Sequence, residues 1–195
     1  MSSRDEILTR VRRNQPAPQP LPDMPTFDSA TGHALERFKA AVVRMGARVV
    51  DPPEDGNLTS FVRRLFPDAK VVCSAVPEVE GNRSLTRVRS PAELEDVDVG
   101  IVRAVFGVGE TGSVWLTDKE FGVNTLGFLA QHLVVLLDPA RIVGNMHHAY
   151  RERAQFDARY GVFMTGPSAT ADIEGVLIHG AQGIRSMTVI PVPTR

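Results

Sequence analysis

Apolar residues along this chain keep switching between two periods, and that alternation constrains the fold more than any other feature. Leu35, Phe38, Val42 and Met45 recur every three or four positions, and Gly46 follows as a helix stop. A strand is then expected over 47–50 and a Pro/Gly turn over 52–56. A helix carries Leu58, Phe61, Val62 and Leu65, and a strand follows over 70–75. Ser90-Pro91-Ala92-Glu93 is a capping box with proline at the first helical position. Further strands are expected over 97–104, 113–117, 132–137, 161–165 and 187–192, with helices over 145–160 and 169–180. Such a pattern predicts an α/β fold, a mostly parallel sheet flanked by helices and mixed at the 109–117 turn. No internal repeat is visible.

Length and charge narrow the function. The 195 residues suit one domain with a short appendage, and a chain of this size buries roughly 70% of its unfolded surface. With 22 Lys plus Arg against 23 Asp plus Glu and no basic block, the footprint of a nucleic-acid binder is missing. Acidic residues precede any apolar stretch at the N-terminus, and no apolar run approaches a membrane span, so a cytoplasmic location is expected. Cys73 is the only cysteine and sits in an apolar run, which suggests a buried, inert thiol. A protein-bound iron-sulfur cluster usually takes about four thiolates, so any such cluster would belong to another chain.

The appendage is expected at 1–26, and a single α/β domain at 27–195. Ile7, Leu8 and Val11 stand at helical spacing, with Ser3 and Glu6 placed as a capping box. Pro16, Pro18, Pro20, Pro22 and Pro25 then crowd into ten residues, which favours an extended strap: either a loose tail or an arm for a neighbour.

Two segments stand out from the scaffold. In Phe106-Gly107-Val108-Gly109-Glu110-Thr111-Gly112-Ser113, glycines would let backbone N–H groups approach an anion, with Glu110 held in a cleft; a plain glycine turn fits equally. No lysine follows as in a Walker loop. Thr165-Gly166-Pro167-Ser168-Ala169-Thr170-Ala171-Asp172-Ile173-Glu174 follows a strand and is expected to open a helix. That makes it either an anion site at a helix N-terminus or ordinary capping by Ser168 or Thr170, with Asp172 and Glu174 in the first turn. His132 and His179 flank these segments as possible acid/base groups. His33, His147 and His148 have no metal-ligand spacing, and no metal site is expected. No nucleophile elbow supports a hydrolase.

Together, Glu110-Thr111-Gly112-Ser113, the Gly166 to Glu174 run and the loop over 180–185 resemble the lactate utilization protein C family, the LUD domain. Two departures stand out. Where members carry Gly-x-His-Gly-Pro, this chain has Gln182 for the histidine and Ile184 for the proline. A Leu-Leu-Pro-x-x-His loop reads Gly127-Phe128-Leu129-Ala130-Gln131-His132, keeping only its histidine.

The resemblance implies a fold similar to the sugar-phosphate isomerase and CoA-transferase-like group. It also implies a non-redox subunit role in oxidation of L-lactate to pyruvate, beside iron-sulfur partner proteins and with no cofactor of its own. A small carboxylate or phosphate-bearing ligand would lie among Gly109, Thr111, Gly112, Ser113, His132, Gly166, Pro167, Ser168, Thr170, Asp172, Glu174 and Arg185. Arg185, with Arg103, would supply the positive charge. By analogy with the transferases, Glu110 is a candidate catalytic carboxylate for an independent acyl-transfer enzyme; a regulatory or assembly module using the strap is the further alternative.

Overall fold

The structure, a computed structural model, describes residues 2–27, 33–152, 157–167, 169–171, 175–176, 178–179 and 182–194. Helix α1 (Ser3–Arg13) starts one residue earlier than the Ser3/Glu6 box predicts: Ser2 is extended and exchanges bonds with Asp5, so Ser3 is already helical. No residue of α1 is buried, and Ile7 and Val11 are mostly exposed. The strap that follows is fixed at its far end, where Asn145 Nδ2 donates to Thr26 O at 2.7 Å and the Phe27 and His147 rings lie 5.1 Å apart.

Helix α2 (Ala34–Arg44) buries Phe38, Ala41 and Val42 and ends at Gly46, which takes the left-handed φ of 79° that stops a helix. Then come β1 (Arg48–Val49), α3 (Leu58–Leu65) and β2 (Val72–Ser74). A single turn of 3-10 helix at Pro91–Leu94, closed by the expected Ser90/Glu93 box, leads to β3 (Val99–Arg103). A hairpin of β4 (Phe106–Val108) and β5 (Ser113–Thr117) precedes α4 (Asp118–Phe121), α5 (Leu126–Leu129) and β6 (His132–Leu137). The chain closes with β7 (Ile142–Val143), α6 (Met146–Arg151), β8 (Gly161–Met164), β9 (Ala169–Thr170), β10 (Ile178–His179) and β11 (Ser186–Pro191).

Five strands make a wholly parallel sheet in the order β1-β11-β6-β3-β2. Its central strands are continuous apolar runs because both faces are covered. On one face Leu58 and Val62 of α3 pack with Ile101, Val134, Leu136 and Ile190. On the other, Phe38 and Val42 of α2 and Leu126 of α5 pack with Val102, Leu133, Val135 and Met187. Gly100 permits this: a Cβ there would stand 3.1 Å from Leu126. The antiparallel pairing expected at the 109–117 turn lies in a second, four-stranded sheet, β7-β4-β5-β8, rather than mixed into the first. Its outer face carries Phe106, Trp115 and Phe163 beneath Ala149 of α6.

Two expected helices differ. The helix over 145–160 is only Met146–Arg151, because Glu152 turns to ψ 57°. In place of a helix over 169–180, β9 and β10 pair antiparallel, with Ile178 opposite Thr170. Gly175 between them has φ 70°, a conformation no helix interior accommodates, and β-branched Thr170 and Ile178 suit a strand. The helix-dipole reading of this run therefore falls. Ser168, Asp172 and Glu174 lie outside the described residues.

Candidate functional site

The fold brings the two motif segments together on the C-terminal half of α2. A Cβ at Gly112 would be 2.5 Å from Val42 N, and one at Gly166 would be 2.7 Å from Met45 O. These glycines are thus explained by close approach to a helix backbone. Three amides of the turn are engaged within the protein: Gly109 N donates to Val143 O, Gly112 N to Val108 O and Ser113 N to Thr111 Oγ1. Glu110 is exposed, and its Oε2 accepts the Met146 N–H at 3.2 Å, capping the first turn of α6. A chain of hydroxyls ties the segments, with Thr111 Oγ1 2.7 Å from Ser113 Oγ and Ser113 Oγ 2.8 Å from Thr165 Oγ1. Pro167 is buried, and Thr170 is half-buried on β9.

Gly166 also lies over Ala47, one residue before Arg48 opens β1, and so leads onto the amino edge of the parallel sheet. There His132 and Ser186 begin neighbouring strands in register, and His132 Nδ1 lies 2.8 Å from Ser186 Oγ. The Phe66 ring is 5.0 Å from the imidazole and 5.4 Å from the Arg48 guanidinium, whose Nε donates to Thr188 Oγ1 at 2.8 Å. The exposed side chain of Arg185 has no hydrogen bond or ion pair among the described residues, while its N–H donates to Gln131 O at 2.7 Å. Asp98 faces the same edge, but its Oδ2 already accepts the Lys70 and Val71 amides. Burial first, then the charges of Arg185 and Arg48, hold the His132 pKa below its ordinary value, opposed only in part by Asp98.

The edge therefore brings two cations toward the imidazole, an arrangement chemically suited to a small anion. Of the residues expected from sequence, His132 and Arg185 meet here, while Glu110, Thr111 and Ser113 sit further along α2. Arg48 and Ser186 were missed; the one available signal was a polar residue at the first position of an otherwise apolar strand. Ile184, standing for the family proline, is buried in the main core, and Gln182 is exposed.

A pH effect follows from His132. The unfolded chain takes up this proton near 6.5, whereas the folded protein resists it until lower pH, so stability is present above 6.5 and is lost as pH falls through that value. Urea unfolding midpoints should decline over this window, and His132→Gln should flatten the decline. The Asp138 carboxyl is held below 3.8 by the Thr194 and Ala140 amides and acts only in more acid solution. An undiminished decline in His132→Gln would assign the effect elsewhere.

A parallel sheet with covering helices, a second sheet wedged on α2 and a glycine turn beside a Gly-Pro loop define a two-sheet α/β protein. The LUD domain profile matches residues 80–192, more than half of the chain, and the chain belongs to that family. It is similar to Lactate utilization protein C of Geobacillus sp. (strain WCH70), with 24% identity across 99% of this chain and 80% of the relative. It is 27% identical to an uncharacterized protein of Neisseria meningitidis serogroup B over 50% of this chain and 43% of that one. Among solved structures, a DUF162 family protein from Deinococcus radiodurans superposes with a TM-score of 0.66 at 18% identity, covering 82% of this chain and 96% of its own, which supports the fold.

Proposed function

We propose that this chain is a non-redox component of a cytoplasmic lactate utilization system. It acts beside iron-sulfur partner proteins that oxidise L-lactate to pyruvate. The observation that carries this reading is the end-to-end similarity to a Lactate utilization protein C, over 99% of the chain. Three features of the molecule support it. Cys73 is buried, with its thiol pushed up by that burial, so it is poorly suited to hold or relay electrons. The amino-edge cluster of Arg48, His132, Arg185 and Ser186 suits a small carboxylate or phosphate-bearing metabolite, bound through the arginines with the neutral imidazole alongside. The exposed apolar stripe of α1 favours attachment to the partners through the N-terminal arm.

The test is affinity purification from lactate-grown cells with a lactate-dependent dye-reduction assay. Cysteine-rich iron-sulfur chains and activity should be recovered with the intact protein, and neither after deletion of residues 1–25. Arg185→Ala should keep the partners but lower anion affinity about tenfold, the loss of one charge-assisted contact. An intact protein that purifies alone, or an Arg185→Ala variant with undiminished anion binding, would overturn the corresponding half of the proposal.

A further inference from the structure

At the opposite edge of the parallel sheet, all five strands end around one open cleft of about 1200 Å³. Pro52 follows β1, Val76 and Glu78 follow β2, Arg103 ends β3, Asp138 follows β6 and Val192 follows β11. Ligands of open α/β sheets bind outside the carboxyl ends of the strands, and this volume exceeds the roughly 300–1,000 Å³ typical of small-molecule pockets. A second cavity, beside α3, is far smaller, at 240 Å³.

The polar groups of the cleft divide into those already used and those left over. Arg103 is used: Nη2 and Nε donate to Glu78 Oε1 at 2.6 and 3.2 Å and Nη1 to Val192 O at 3.0 Å, which pins the ends of β3 and β11 to the loop after β2. Asp138 is used too, accepting the Ala140 and Thr194 amides. Glu120 caps α4, spending one oxygen on Thr117. Of the charged side chains lining the cleft, three groups remain unengaged among the described residues: Oε2 of Glu78, Oε1 of Glu120 and the exposed guanidinium of Arg141.

This remainder selects a ligand. Carboxylate oxygens ask for hydroxyl donors, and a vicinal diol supplies two. Apolar walls such as Val76, Val105 and Val192 suit the face of a flat ring. Arg141 offers one contact to an anionic group at the cleft's edge. A bare anion fits poorly, because three carboxylates (Glu78, Glu120, Asp138) outnumber the two guanidiniums of Arg103 and Arg141. We infer that the cleft binds a nucleoside, ribose toward the free carboxylate oxygens and base on the apolar wall, with Arg141 reaching a 5′-phosphate when one is present.

The probes are adenosine, AMP and inorganic phosphate, titrated into the isotopically labelled full-length protein and followed by amide shifts. Adenosine and AMP should saturate and shift residues near Val76, Val105 and Val192, with AMP tighter; phosphate alone should leave the cleft unmoved. Arg141→Gln should weaken AMP about tenfold, to the level of adenosine, the loss of one charge-assisted contact. Val76→Trp should abolish both while its amide spectrum elsewhere remains that of the folded protein. Three results would overturn the assignment: no saturable shift with either adenosine or AMP at millimolar concentration, equal shifts from phosphate, or shifts confined to His132 and Arg185. The readout lies at the edge away from the amino-edge cluster, so its outcome is independent of the lactate proposal.

Discussion

Gly112→Ala is expected to lower the thermal midpoint by at least 6 to 12 °C, the shift for about 3 kcal/mol in a domain of this size. Two costs add. Its φ of 71° disfavours any residue with a Cβ, by about 1 kcal/mol or more. The new methyl would also stand 2.5 Å from Val42 N and 2.8 Å from Ala41 C. Both are backbone atoms of α2, so no rotamer change relieves them, and either the hairpin or the helix must move, at roughly 1–3 kcal/mol. Gly56→Ala is the matched control: φ is 68°, yet a methyl there would have nothing within 4 Å. It should show the conformational cost alone, and the difference between the two variants measures the turn-on-helix contact. Equal midpoints in calorimetry would mean that this contact is not close in solution. Loss of the contact should also disturb the Ser113–Thr165 hydroxyl link, since Ser113 follows directly in the chain.

Leu136→Ala should cost about 2–5 kcal/mol, or a comparable loss to urea. Leu136 is fully buried in the middle strand of the parallel sheet, between β11 and β3, and packs with Leu58, Ile101 and Ile190 beneath α3. Strands on both sides hold the backbone, so the cavity cannot collapse and the upper part of the range applies. The urea midpoint should drop with the slope unchanged, since the surface exposed on unfolding is nearly the same. Val11→Ala in exposed α1 should stay within ~0.5 kcal/mol of the parent. A small effect at Leu136 would contradict a fully packed central strand.

The parallel sheet was legible because its strands are buried on both faces and read as apolar runs; 132–137 was read to the residue. Short strands of the second sheet were harder. Phe106–Val108 has three residues and pairs, besides its hairpin partner β5, with β7, which arrives much later in the chain. Ile173, Val176 and Leu177 stand at helical spacing in the sequence, yet the left-handed backbone at Gly175 keeps a helix from spanning 169–180. The special character of Gly109 to Ser113 was visible, but not its cause: the chain distance between that turn and Val42 hides a backbone contact. Arg48 and Ser186 were invisible for the same reason, being joined to His132 only by strand register. The carboxyl-edge cleft has no local motif, since each strand end contributes only one or a few residues to it.

The free-standing α1 has a further consequence. Residues 14–27 between it and the strap's anchor at Thr26 and Phe27 span about 40 Å if extended as polyproline. A protein gripped by α1 would be confined to that radius, and its second contact with the domain would form at an effective concentration in the millimolar range. Even a weak complementary surface on the α/β body would then be occupied, so the arm's grip and the body's grip would be inseparable in a dilution experiment yet separable by lengthening the strap.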